Sequence, residues 1–86
     1  MEFSKEENAL LKAVGTILIN LREKAGFDKP TPFAKSITMD PGHYVRYERG
    51  ENMTLISLMR LLSHHNLSLL KFFIIVFKQL NTKNKH

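Results

Sequence analysis

The segment running from Asp40 through Pro41, Gly42, His43, Tyr44, Val45, Arg46, Tyr47, Glu48 and Arg49 to Gly50 constrains the fold most tightly. Asp40 can accept hydrogen bonds from the free amides of a first helical turn, and proline fits the first helical position. Gly50 suits the left-handed backbone that ends a helix. The segment therefore reads as a helix over about 41–49. A free-standing helix of this length is marginal in water. Its apolar side chains are sparse (Tyr44, Val45, Tyr47), so it needs a scaffold and leaves polar groups pointing outward.

The rest of the chain supplies that scaffold as helices. Ser4-Lys5-Glu6-Glu7 matches a capping box. Leu10, Leu11, Val14, Ile17, Leu18 and Leu21 then recur at helical spacing, and Gly26 closes a first helix over about Lys5 to Ala25. Pro30 and Pro32 exclude a helix interior at that point. A short second helix over about Thr31 to Ser36 turns Phe33 and Ala34 inward, and Ile37-Thr38-Met39 forms the turn. Thr54 caps a fourth helix over about Leu55 to His65, which Asn66 ends. Ser68 caps a fifth over about Leu69 to Leu80. Residues 81–86 are polar and basic and read as a flexible tail. The expectation is an all-α fold of five helices in a single domain over 1–80.

Charge is unevenly distributed. Residues 1–51 hold eight basic and eight acidic residues, whereas residues 52–86 hold five basic residues and no acid. The net charge of +5 therefore sits in the C-terminal part. A basic excess favours nucleic acid or anionic surfaces. Cysteine is absent, which excludes disulfides and thiolate metal sites. Met1 to Asn8 is polar and acidic, unlike a secretory signal, and a cytoplasmic location is expected.

Catalysis finds little support. The imidazoles are His43, His64, His65 and His86, and no His-x-x-x-His pair stands at helical spacing. No nucleophile–base pair or glycine-rich phosphate loop is evident. His64 and His65 read as groups at a helix C-terminus, where partial positive charge is favoured. No enzyme activity, cofactor or metal is expected.

Taken in order, Leu21-Arg22-Glu23-Lys24, Gly26, Phe33-Ala34, Tyr44-x-Arg46-Tyr47-Glu48-x-Gly50, Leu55-x-x-Leu58 and Leu69-x-x-Phe72-Phe73 resemble the Cro/repressor-type, or XRE-family, helix-turn-helix. The resemblance covers about residues 10–73, with a slightly longer, proline-containing lead into helix 2. It implies a lambda-repressor-like domain whose third helix enters the major groove of DNA leading end first. By the same resemblance Pro41, Gly42 and Arg46 reach base edges, flanked by His43 and Val45. Pro41 has no donor and Gly42 only backbone, so Arg46 is the strongest reader, its guanidinium matching guanine O6 and N7. Gly42 has two readings: close approach to the duplex, or weak discrimination with affinity drawn from phosphates. Phosphate contacts are expected from amides near Thr31, from Lys35, and from Arg49 and Asn52 after the helix. The resemblance further implies a structural ion pair between Arg22 and Glu48.

The fifth helix is unusually apolar, with eight apolar residues in nine over 69–77. This exceeds one buried stripe, yet falls short of the roughly 20 residues a membrane span needs. Leu69, Phe72, Phe73 and Val76 would complete the core, leaving Leu70, Ile74 and Phe77 to meet a second chain. A homodimer would set two reading helices about 34 Å apart on a palindromic site. The expected function is thus sequence-specific DNA binding by a homodimeric transcriptional repressor. The alternative is a protein-interaction module or antitoxin, with a toxin or other protein partner, that keeps the fold and binds DNA weakly or not at all.

Overall fold

A computed structural model describes residues 2–84, with side chains through residue 82. The described residues form helices α1 (Lys5–Lys24), α2 (Pro30–Ser36), α3 (Pro41–Glu48), α4 (Leu55–Ser63) and α5 (Leu69–Asn84), and no strand.

Each helix starts where local chemistry favours it. The Ser4 hydroxyl accepts from the Glu7 amide at 3.1 Å while the Ser4 amide donates to the Glu7 carboxylate at 2.7 Å, a complete capping box. The carboxylate of Asp40 accepts from the His43 amide at 2.9 Å, and Thr54 and Ser68 do the same for α4 and α5. Only α2 lacks a side-chain cap. It begins at Pro30, one residue before the expected Thr31, because proline fits a first helical position that needs no donor.

Ends follow backbone geometry. Gly26 and Gly50 adopt φ of +94° and +92° after α1 and α3, a region glycine enters without steric cost. Asn66 takes φ 53° after α4. Thr38, in the turn between α2 and α3, also has positive φ (58°), which is strained for a β-branched residue.

The expected tail over 81–86 is corrected in part. Helix α5 continues through Asn84. Residues 81–84 contain neither glycine nor proline, and the Thr82 hydroxyl donates to the Lys78 carbonyl at 2.9 Å, so the helix runs past its last apolar side chain. Lys85 and His86 lie outside the described residues.

One core joins all five helices. It takes Ala13, Val14, Ile17 and Leu18 from α1, Phe33 and Ala34 from α2, and Tyr44 from α3. Leu58, Leu61 and Leu62 enter from α4, and Phe72 and Val76 from α5. Helix α1 packs against α5 and α3, and α2 against α3. The outer face of α5 stays in water, with Leu70, Ile74 and Phe77 exposed.

Candidate nucleic-acid interface

Helix α3 is anchored at its C-terminal end. The Arg22 side chain from α1 is buried (5% exposed for the residue) and grips the Glu48 carboxylate with two hydrogen bonds, Nε–Oε2 at 2.8 Å and Nη2–Oε1 at 3.2 Å. Its Nη1 donates to the Phe27 carbonyl at 2.9 Å, so one guanidinium ties α1, α3 and the loop after Gly26. Hydrogen bonding to Glu48 raises the Arg22 pKa against the opposing effect of burial. Tyr44 beside this pair is fully buried, and burial first, then Glu48, pushes its phenol pKa up. The Tyr44 hydroxyl finds no well-aligned partner.

Two glycines set how closely α3 lies on α1. A Cβ on Gly15 would overlap the Glu48 carbonyl oxygen, and would meet the Glu48 carbonyl carbon at 3.0 Å and the Tyr47 carbonyl oxygen at 3.1 Å. A Cβ on Gly50 would sit 3.4 Å from Lys12. Gly15 is missing from the sequence-based set of site residues. Its signal is a lone glycine inside an otherwise strong helix, a costly choice that points to a packing reason.

The opposite side of α3 faces water. Gly42, Val45, Arg46 and Arg49 fall at helical spacing on one stripe, turned away from Tyr44 and Glu48. Gly42, His43, Arg46 and Arg49 are exposed, and Pro41 and Val45 half-buried. Arg46 folds back along the helix, its Nε donating to the Gly42 carbonyl at 3.3 Å. A Cβ at Gly42 would lie 3.2 Å from the capping Asp40 Oδ2 and 4.0 Å from Arg46 Nη2. The stripe carries two cations and no acid; the nearest acid is the capping Asp40, whose carboxylate stands 3.8 Å from the exposed His43 ring.

The remaining candidates are less concentrated. Thr31 and Lys35 are both exposed on α2. Pro30 and Pro32 remove two of the first three helical amides, leaving that of Thr31. Asn52 is exposed but lines a groove with Phe3, Glu7, Leu10 and Leu11, against α1. The structure thus brings Pro41, Gly42, His43, Val45, Arg46 and Arg49 onto one short helix, and Arg22 onto Glu48. It sets Asn52 beside the acidic start of α1.

His65 follows the end of α4 but is not a solvated group there: its ring stacks on Phe33 of α2 at 5.2 Å with 16° between planes, and Nε2 is buried without a partner. Burial, and to a lesser degree His64, lowers its pKa. Among the described residues, no helix is long and apolar enough to cross a membrane, and no group of three or more acidic or imidazole side chains could hold a metal ion. Comparison of the chain with protein-family models, curated proteins and solved structures yields no match.

Proposed function

We propose that the chain is a sequence-specific DNA-binding transcriptional regulator with a lambda-repressor-like helix-turn-helix. It acts in the cytoplasm as a homodimer on a palindromic site and represses by occupying a promoter. The observation that carries this reading is the arrangement of α3: locked at its tail by Arg22 and Glu48, exposed and cationic along Gly42, Arg46 and Arg49, with Val45 half-buried among them. A leading end occluded by its own subunit would have argued against groove entry, and Gly42 and His43 are exposed. Arg46 reads a guanine through its two-pronged donor set. Arg49, Lys35 and the Thr31 amide hold phosphates and fix the register.

The test selects bound duplexes from a random pool, then measures affinity for the winner over a range of salt. Affinity falls linearly on a log–log plot as phosphate counterions are released. Arg46→Ala costs about 1–3 kcal/mol at one base position and flattens preference there. Unchanged preference at every position removes Arg46 as the reader. No binding at any practical salt removes the DNA reading. It would favour the protein-interaction module, which the bare Gly42 and the exposed Asp40 acid at the leading end of α3 also suit.

A further inference from the structure

The outer face of α5 is too small to be a dimer interface by itself. Leu70 is 72% exposed, Phe77 53% and Ile74 46%. With the half-buried Phe73 they make a patch only four side chains wide, short of the roughly 800 Å² per partner that a stable interface buries. The surface does not stop at α5, however. Phe73 lines both the α5 groove and a second cleft floored by Leu10 of α1 and walled by Leu55 of α4. Leu55 is 61% exposed although it begins a helix whose next turns are core. The two depressions meet at Phe73 as one apolar strip from Phe77 to Leu55.

Charge identifies the occupant. Lys71 and Lys78 flank the α5 stripe, and no acid occurs after Glu51. The far end of the strip adjoins the start of α1, where Phe3 and Glu7 line a groove with the same Leu10, in a segment whose sequence also holds Glu2 and Glu6. Each copy therefore carries a cationic end and an anionic end along one apolar surface. Two copies related by a two-fold axis lay the cationic end of one against the anionic end of the other.

We propose that a second copy of this chain docks across the whole strip, with Phe77 and Leu55 both inside the interface. This deepens the homodimer of the proposed function and rests on it. Ile75 is exposed on α5 but lies beyond Lys71 and Lys78, about 100° round the helix from Ile74, and stays outside.

Sedimentation equilibrium of the full chain without DNA tests this, with far-UV circular dichroism to verify that each variant is folded. All the substituted side chains are exposed, so their loss leaves the core intact. Phe77→Asp and Leu55→Asp each weaken the dimer by roughly tenfold or more, the loss of one well-buried apolar side chain, while Ile75→Asp leaves it unchanged. A wild-type chain that stays monomeric overturns the proposal. So does a dimer that tolerates Leu55→Asp, or one that Ile75→Asp weakens as much as Phe77→Asp. Arg46→Ala leaves self-association unaltered, so a monomer that still binds duplex refutes this interface and spares the DNA reading.

Discussion

Replacing Gly15 by alanine sets two effects of opposite sign against each other. Alanine in a helix interior is favoured over glycine by about 0.8–1.0 kcal/mol, so propensity alone says that Gly15→Ala stabilises. The new methyl group would overlap the Glu48 carbonyl oxygen and press on the Glu48 carbonyl carbon and the Tyr47 carbonyl oxygen, at 3.0 and 3.1 Å. These are backbone atoms and cannot rotate away. A carbon settles about 3.3–3.6 Å from a carbonyl oxygen, so α3 must lift off α1 by a sizeable fraction of an ångström. That lift also strains the 2.8 and 3.2 Å bonds between Arg22 and Glu48. Overpacking of this kind costs about 1–3 kcal/mol, which after the gain in propensity leaves a net loss of up to about 2 kcal/mol. With a urea m-value of about 1 kcal/mol/M for a small domain, the unfolding midpoint falls by up to about 2 M. Gly42→Ala is the control: its methyl meets side chains and no backbone of another helix, the capping Asp40 Oδ2 at 3.2 Å and Arg46 Nη2 at 4.0 Å. It should be neutral or mildly stabilising. A Gly15→Ala midpoint above wild type by the full propensity gain, about 1 M, would refute the close-approach argument.

Truncating one partner of the buried pair, by Arg22→Met or Glu48→Leu, costs about 3–5 kcal/mol, whereas the double variant loses far less than the sum; a denaturation double-mutant cycle reads the coupling, and additive losses would contradict it. Because burial lowers the His65 pKa, the unfolded chain takes that proton first as pH falls. Stability is therefore full above about pH 6.5 and declines below it, and Tm against pH should flatten in His65→Phe, which keeps the stack on Phe33. Asp40→Asn keeps a good helix cap and removes an acid from the leading end of α3, so duplex affinity should rise at low salt with stability little changed; equal or weaker binding in a titration counts against groove entry by that end.

Helix starts were legible because capping is local chemistry. Ser4, Asp40, Thr54 and Ser68 each cap within three residues of themselves, and the structure has all four in place. The division of α5 was legible too: its pattern separates Phe72 and Val76, fully buried, from the exposed Leu70, Ile74 and Phe77. What escaped depends on the opposite side of a contact. Nothing near Gly15 in the chain says that Glu48 will lie against it. Nothing near His65 says that Phe33 offers a ring to stack on, whereas position at a helix end pointed only to solvent and the helix dipole. Polar residues 81–84 looked like a tail because composition reports what a segment can bury, whereas a helix already begun needs only the absence of a stop.

The attachments of α3 are unequal along its length, and this separates two kinds of variant. Lys12, Gly15 and Arg22 fall on one side of α1, away from the core-facing Val14, Ile17 and Leu21. Lys12 lies under Gly50, Gly15 under the Glu48 carbonyl, and Arg22 holds the Glu48 carboxylate. All three act on the last turn of α3 or the glycine after it. Its first turn is held by the Asp40 cap and by Tyr44 in the core. With the first turn seated by Tyr44, disturbing an anchor shifts the last turn against it and moves the side chains from Val45 to Arg49 together. Under the DNA reading, anchor variants weaken binding to all duplexes in parallel with lost stability. Variants at the exposed stripe change preference among duplexes and leave unfolding untouched. Stability and base preference measured on the same set of variants therefore sort α3 into the part that positions and the part that reads. A stripe variant that unfolds the domain, or an anchor variant that changes only base preference, would break that division.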